Sequence, residues 1–420
     1  MVGSIRMRSV IAGILALAAL VFLILEAARL VDVDFLVYIG AADALMSGQD
    51  LYNNFSVGGL PFTYPPFAGA VFIPFDLFPP TAAFAIWTAL SIAALAGIAW
   101  LTALRLPALV GEELTTKTWE LALFIFAISA FSETVIKNIE LGQVNLVLVL
   151  LIMFDTVTKA HYRGFLTGMA AGFKIVPAIF IVFMLVNRRW GDFGRALLGF
   201  LTTLAIGSFF GIGQVWQFFS VELWDTARVG AADRLSNVSL YGALSRWIPD
   251  SDPIVLWAVL AVIVAVAGLA IAGLWWNHSR LVAAVVVGII GLLVSPVSWV
   301  HHWVWFIPAA CAAIALAIRA FRGSDRLVGV CLSIAAAAMV LPELGELRYA
   351  GGRLTQDNTF GESVVGSGYS LCGLIALAAF AVALRLPRRN ADSSFEIPDQ
   401  ADKADSNRAV TSSTDPMPST

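Results

Sequence analysis

Long hydrophobic runs recur along the whole chain, separated by short polar stretches. The first covers residues 9–30 behind Arg6 and Arg8, and it is longer than the apolar core of a cleavable signal peptide. Because about 20 apolar residues in a helix span the hydrocarbon core of a bilayer, these runs predict transmembrane helices. Further runs lie near 81–104, 119–136, 144–158, 164–187, 196–213, 253–276, 281–297, 303–319, 326–342 and 365–386.

Positive charges collect in alternate connections, which the positive-inside rule assigns to the cytoplasm. The alternation requires the run at 164–187, interrupted by Lys174 and Pro177, to cross twice as short helices or to dip in and return. We therefore predict an all-α polytopic membrane protein with about 12 transmembrane or near-transmembrane helices and both termini in the cytoplasm. The charges are Arg6/Arg8, Arg105/Lys117, Lys159/Arg163, Arg188/Arg189/Arg195, Arg280, Arg319/Arg322/Arg326 and Arg388/Arg389.

Composition agrees with this pattern and excludes several classes of protein. Of the 420 residues, 59% are hydrophobic and only 13% are charged, whereas soluble domains carry about 25% charged residues. The formal charge of −3 lacks the basic surplus of a nucleic-acid-binding protein, so we expect no nucleic-acid partner. The three cysteines lie in apolar runs and are interpreted as small buried hydrophobic residues.

The predicted domain organisation is simple. Residues 1–8 form a cytoplasmic N-terminus, 9–386 an integral membrane domain, and 387–420 a polar, disordered cytoplasmic tail. Within the membrane domain, 31–80 is an outer loop, and its apolar stretch 66–78 is too short to span and is predicted to be re-entrant or interfacial. The other predicted outer segments are 137–143, 214–252, 297–302 and 343–364.

The first outer loop is acidic: its residues 31–67 hold Asp32, Asp34, Asp43 and Asp50 without a lysine or arginine. Asp32 and Asp34 follow the first span directly, where partial desolvation at the membrane boundary would raise the pKa of a carboxyl group and favour a general base. The alternative is that these aspartates only cap the helix predicted over 35–46.

Other polar residues interrupt apolar surroundings, where they are costly and therefore suspect. Lys174 lies between two short apolar arms, a pattern typical of a broken helix that lines a cavity, although its ammonium could instead reach an interface. Glu133, Gln143 and Asn145 cluster around the predicted outer segment 137–143.

The adjacent His301 and His302 do not favour a metal site, because neighbours on a helix point about 100° apart. A wet interface lined by tryptophans explains them equally well. The loop 214–252 contains Arg228, Arg234 and Arg246, and arginine can bind phosphate through paired hydrogen bonds. A solvated loop is the simpler alternative. We expect neither a metal nor a cofactor.

A carboxylate, scattered cations and aromatic or amide residues at the outer membrane face together suggest a lipid-linked transferase. Several ordered motifs over about 30–310 carry a more specific resemblance, to glycosyltransferase family 87. The positions that carry it are Asp34, Tyr38 and Gly40; Gly48, Leu51 and Tyr52; Leu60, Tyr64 and Pro66; Glu133; Gly142-Gln143-Val144-Asn145; Gly168, Lys174 and Pro177; Ser239, Gly242 and Arg246; and Ser295-Pro296 with Trp299, His301-His302, Trp303 and Trp305.

This resemblance implies a GT-C-like fold with an outer-face active site in the plasma membrane. It also implies an inverting α-1,2-mannosyltransferase that moves mannose from polyprenyl-phosphate mannose to a phosphatidylinositol mannoside, lipomannan or lipoarabinomannan. The implied base is Asp34, with Asp32 in reserve. The implied donor phosphate ligands are Lys174, Arg246, His301 and His302, and the sugar or acceptor ligands are Tyr64, Glu133, Gln143 and Asn145.

Two other functions remain compatible with these residues. One is a transferase that uses a different polyprenyl-phosphate sugar, such as arabinose or glucose, since the same electrostatics would bind any such donor. The other is a transporter of lipid-linked sugars, although transporters usually place the substrate near the bilayer midplane within repeated architecture.

Overall fold

The chain folds as a bundle of α-helices. The computed structural model describes residues 2–29, 31–53, 55–111, 115–158, 161–344 and 360–387, and within these ranges it contains no β-strand beyond two isolated bridges. The α-helices are α1 Val2–Ala27, α2 Val33–Met46, α3 Pro66–Asp76, α4 Pro80–Val110, α5 Thr118–Ala130, α6 Glu133–Glu140, α7 Asn145–Val157, α8 Phe165–Phe173, α9 Ala178–Val186, α10 Trp190–Gln217, α11 Leu240–Trp247, α12 Ile254–Trp276, α13 Arg280–Val294, α14 Phe306–Arg322, α15 Arg326–Val340, α16 Phe360–Gly366 and α17 Gly368–Val382.

Seven helical stretches among the described residues are long and apolar enough to cross a bilayer. Helices α5 and α6 add an eighth if they form one span bent by 74°. Helices α3, α7 and α13 are apolar but shorter, so the total of about 12 stays a prediction. The chain is nevertheless a multi-pass, all-α membrane protein. The predicted tail falls almost wholly on 388–420, outside the described residues.

Two of the predicted hydrophobic runs are broken in the structure: 164–187, as predicted, and 119–136, which the sequence predicted as continuous. Helix α5 ends before Ser132, whose side chain accepts a hydrogen bond from the Val135 N–H and so begins α6. Helix α8 ends at Lys174, which has an extended backbone (φ −143°, ψ 129°), and α9 begins after Pro177. The Lys174 side chain is therefore presented from irregular backbone, which inside a membrane protein must line a cavity or be covered by protein.

Helix α8 is held against α10 by glycines. A Cβ atom at Gly168 would collide with the Ala196 carbonyl, and one at Gly199 would collide with the Phe165 carbonyl. Small residues allow two membrane helices to approach backbone to backbone, where van der Waals packing replaces the missing hydrophobic force. This contact fixes the end of α8 from which Lys174 projects.

Helix α13 lies at the centre of the bundle and is buried from Leu281 to Leu293. The stretch predicted to be re-entrant forms α3, with Pro66 in its first turn and Pro74 inside it. At 11 residues it is about 16 Å long, roughly half of the hydrocarbon thickness.

Candidate active site

Asp32 and Asp34 make different contacts. Asp32 is the N-cap of α2, and its Oδ1 accepts the backbone N–H of Asp34 at 2.9 Å. The capping alternative is therefore true of Asp32. The carboxylate of Asp34 instead accepts a hydrogen bond of 2.8 Å from Nε2 of Gln143, which is distant in sequence. Helix capping thus explains Asp32, whereas the carboxylate of Asp34 is available to the candidate site.

The carboxyl group of Asp34 is a strong candidate for a proton acceptor. Burial raises its pKa above the ordinary value, and the neighbouring charge of Asp32 raises it further. The Gln143 hydrogen bond and the positive charge of Lys174 act in the opposite direction but do not cancel these effects. A carboxylate whose pKa is raised is a stronger base once it is ionised.

Gln143 is oriented by a second polar contact. The Tyr38 hydroxyl lies 3.3 Å from Gln143 Oε1 and 3.2 Å from the Tyr64 hydroxyl. Because an amide oxygen accepts and an amide nitrogen donates, the Tyr38 hydroxyl turns the Gln143 NH₂ group toward Asp34. Tyr38 appeared in the sequence motifs, but its contact with Gln143 could not be read from them.

Lys174 lies beside these groups with its side chain buried. Its Nζ donates to Asn145 Oδ1 at 2.9 Å, lies 2.8 Å from His302 Nε2, and is 5.4 Å from the centre of the Tyr64 ring. Lys174, Asn145 and His302 line a small cavity of about 40 Å³ whose remaining walls are mostly apolar. A buried ammonium in an apolar cavity is suited to the phosphate of a lipid carrier.

The orientation of Asn145 is determined by a neighbour that the sequence did not single out. Asn138 is fully buried, and its NH₂ group donates to the carbonyls of Thr134 and His301 at 2.8 and 2.7 Å. Asn138 Oδ1 is then left to accept from Asn145 Nδ2, at 3.1 Å. Asn145 must therefore turn its oxygen toward Lys174. The seven-residue spacing between the two asparagines was the available signal.

The other predicted residues lie apart from these contacts. Arg246 is buried, and its guanidinium donates to the carbonyls of Arg234, Asn237 and Gly366 at 2.8–2.9 Å, the arrangement of an anchor between loop segments. His301 packs its ring against that of His302, with centroids 4.7 Å apart. Glu133 is buried at the start of α6.

Potential metal ligands are not clustered in the described part of the chain. Among the described residues, no group of three or more His, Cys, Asp or Glu side chains is placed to hold a metal ion. The available groups are a base, oriented amides, a buried cation and aromatic surfaces, which suit the transfer of a group from a lipid phosphate to a hydroxyl.

A bundle of membrane-spanning helices with such a cluster at its polar breaks defines a membrane-embedded transferase. The family comparison makes this specific: the model of glycosyltransferase family 87 matches residues 62–296, and the chain belongs to this family. It is therefore a glycosyltransferase. Lys174, Gln143 and Asn145 lie inside the matched range, whereas Asp34 and His302 lie outside it.

Characterised relatives cover most of the chain. A Mycolicibacterium smegmatis protein named polyprenol-phosphate-mannose-dependent alpha-(1-2)-phosphatidylinositol pentamannoside mannosyltransferase is 33% identical over 76% of this chain and 77% of its own length. A Mycobacterium tuberculosis protein named polyprenol-phosphate-mannose-dependent alpha-(1-2)-phosphatidylinositol mannoside mannosyltransferase is 31% identical over 66% of this chain and 69% of its own length. The solved structure of ArnT from Cupriavidus metallidurans bound to undecaprenyl phosphate is 14% identical, covering 91% of this chain and 76% of that chain, with a TM-score of 0.29, too low to carry a conclusion.

Proposed function

We propose that this protein is an inverting α-1,2-mannosyltransferase that moves mannose from polyprenyl-phosphate mannose to a mannosylated glycolipid. The observation that carries the proposal is the proximity of Asp34, which accepts a hydrogen bond from Gln143, to the buried Lys174, whose positive charge acts to lower the pKa of Asp34. The names of the relatives support the donor and the acceptor class, a phosphatidylinositol mannoside.

The reaction follows from the roles of these groups. The acceptor 2-hydroxyl loses its proton to Asp34 while its oxygen attacks the anomeric carbon of a β-mannosyl phosphate. The bond from that carbon to the phosphate oxygen breaks, so the product is an α-mannoside and the phosphate remains on the polyprenol. One base suffices, because the phosphate leaves without a protonating acid.

Charge develops on the departing phosphate, and Lys174 is the cation placed to stabilise it. The ammonium is held by Asn145 and approached by His302, so it needs little reorganisation when the charge appears. Gln143 bonds to Asp34 and Tyr64 lies beside Lys174, so both side chains would contact the sugar, with Glu133 completing the acceptor pocket. The contacts of Arg246 and His301 favour supporting roles over phosphate binding.

We place the site on the extracytoplasmic face, with both termini in the cytoplasm. The segments predicted to lie outside are joined to one another: the Leu51 N–H donates to Gln214 at 3.0 Å, and the Val238 N–H donates to the Ser298 carbonyl at 2.8 Å. Reporter fusions at Gly111 and Ser251 test this orientation, because a cytoplasmic signal at Ser251 would contradict it.

The decisive experiment is transfer by purified protein. Wild type is given radiolabelled polyprenyl-phosphate mannose and a panel of mannosylated phosphatidylinositols, beside Asp34→Asn and the capping control Asp32→Asn. We expect transfer by wild type and Asp32→Asn, and a loss of about 10²–10⁴-fold in Asp34→Asn, the usual contribution of a general base.

Other outcomes separate the alternatives. Equal transfer by Asp34→Asn would refute Asp34 as the base. Transfer only from polyprenyl-phosphate arabinose or glucose would replace the donor. Movement of donor across vesicles without transfer, surviving in Asp34→Asn, would establish a transporter.

A further inference from the structure

A second apolar cavity, which the proposed reaction does not use, runs along the outside of the bundle between α1, α4 and α5. Its volume is about 1190 Å³, beyond the usual 300–1,000 Å³ of a small-molecule pocket. We name it the α1–α4 groove. Its walls are apolar or small residues, except for Arg29 and the hydroxyls of Thr81 and Thr88.

The shape of the α1–α4 groove matches a lipid chain. Its α4 wall runs from Thr81 to Trp100, which is about 28 Å along a helix and so close to the thickness of the hydrocarbon core. Alanines recur on this wall, with their side chains exposed, so the helix surface is recessed over its length. They are Ala85, Ala89, Ala93 and Ala96.

One end of the groove lies next to the segment that carries the candidate base. Phe84, which lines the groove, packs its ring against that of Phe35 with centroids 5.1 Å apart, and Phe35 follows Asp34 in the chain. Val31 and Arg29 also line this end. The guanidinium of Arg29 is 68% exposed and pairs with Glu26 at 2.8 Å, so it can also reach an anionic group at the mouth.

The donor and the acceptor must approach the reacting carbon from different sides. The cavity at Lys174 shares no lining residue with the α1–α4 groove and contains the cation suited to the donor phosphate. The attacking hydroxyl must lie beside Asp34, and Val31 together with the Phe84–Phe35 contact places one end of the groove next to the Asp34 segment. The lipid held in the groove is therefore the one that carries the hydroxyl.

We infer that the α1–α4 groove binds the fatty-acyl chains of the acceptor glycolipid, with Arg29 facing its phosphodiester. This inference rests on the proposed function. It assigns the acceptor a lipid-binding site that orients its headgroup over Asp34, and it predicts that acceptors without acyl chains bypass the groove.

The test fills the groove without disturbing the site. Ala89→Trp places a bulky ring in the groove from an exposed position, and Leu90→Trp is the matched control, because Leu90 is 46% exposed on α4 but does not line the groove. Each variant is assayed with dipalmitoyl phosphatidylinositol mannoside and with methyl α-mannobioside, a water-soluble acceptor, at varied donor concentration.

We expect Ala89→Trp to lower kcat/KM for the diacylated acceptor by about tenfold, because small displacements of a bound substrate are costly. Transfer to methyl α-mannobioside, the donor KM and all values for Leu90→Trp should stay as in wild type. A raised donor KM would assign the groove to the polyprenyl chain and overturn the inference. Unchanged transfer to the diacylated acceptor would also overturn it.

A binding experiment keeps the inference testable if Ala89→Trp fails to fold or no turnover is seen. Wild type in phosphatidylcholine vesicles is irradiated with a phosphatidylinositol mannoside that carries a diazirine in one acyl chain. We expect labelling on groove residues of α1 and α4 that unlabelled acceptor reduces and added phosphatidylcholine does not. Labelling elsewhere, or equal competition by both lipids, would refute the groove. Competed labelling without transfer would instead reject only the proposed reaction.

Discussion

Two aspartates of this protein, Asp34 and Asp192, show how the same side chain is used for chemistry and for structure. Asp192 lies in the first turn of α10, where Arg189 and Arg195 each pair with its carboxylate at 2.6 Å. Arg189 also stacks on the Trp276 ring at 4.0 Å. The negative charge of Asp192 is therefore met by two cations in a fixed arrangement.

Asp34 is supported very differently. A neutral amide, Gln143, donates to its carboxylate, another aspartate lies two residues away, and burial raises its pKa. Ionised Asp34 is thus held at a cost in the folded protein, whereas the carboxylate of Asp192 is paired with two arginines. A carboxylate that is ionised but incompletely compensated is ready to take a proton, and this difference separates a candidate base from a structural ion pair.

The largest expected effect is the change in kcat when the cation near each aspartate is replaced. Lys174→Met should lower kcat by about 10²–10³-fold, the usual loss when one preorganised charge-stabilising donor is removed. Arg195→Met, which removes a cation from the structural cluster, should leave kcat close to wild type. Steady-state kinetics of both variants measure the contrast, and equal losses would show that Lys174 acts through folding alone.

Neutralising each aspartate should have opposite effects on stability. Asp192→Asn leaves two arginines without their counter-charge and should cost about 1–2 kcal/mol, since the arginines are partly exposed and screened. Asp34→Asn should instead raise the thermal unfolding midpoint at neutral pH. A raised pKa in the folded state means that ionisation destabilises the fold as pH rises through that pKa.

Thermal unfolding followed by tryptophan fluorescence in detergent measures both variants. The stabilisation by Asp34→Asn should vanish at a pH low enough to protonate Asp34 in the wild type. A lowered midpoint for Asp34→Asn at neutral pH would show that its carboxylate is as structural as that of Asp192.

The smallest expected effect is a shift in the pH dependence of activity. Activity should fall as pH falls through the raised pKa of Asp34, because the base must be ionised to accept a proton. Asp32→Asn retains an N-cap side chain but removes a charge that raises this pKa, so the acidic limb of kcat/KM should move to lower pH. A limb that does not move would assign the titration to a different group.

Much of the candidate site was predictable because polar residues cost free energy when they are buried in a membrane protein among apolar neighbours. Lys174, Gln143 and Asn145 stood out as polar groups in apolar surroundings, and the structure places all three in one set of contacts. Asn138 and the orienting contact of Tyr38 were not foreseen, because an amide's orientation depends on partners from other helices. Arg246 was predicted to bind phosphate, and the sequence could not show that its guanidinium donates to three backbone carbonyls.

The sequence by itself determined that this chain is a helical membrane protein and that its run 164–187 is broken. Apolar length sets the cost of leaving a segment in water, and Pro177 prevents a continuous helix, so both properties are local. Only the tertiary structure decided that the run 119–136 also breaks, which aspartate caps a helix, which is held by Gln143, and where an apolar groove opens between α1, α4 and α5. These outcomes depend on how distant helices pack. Hydrogen-bond partners and cavities form between helices that are far apart in the chain, so residue spacing does not predict them.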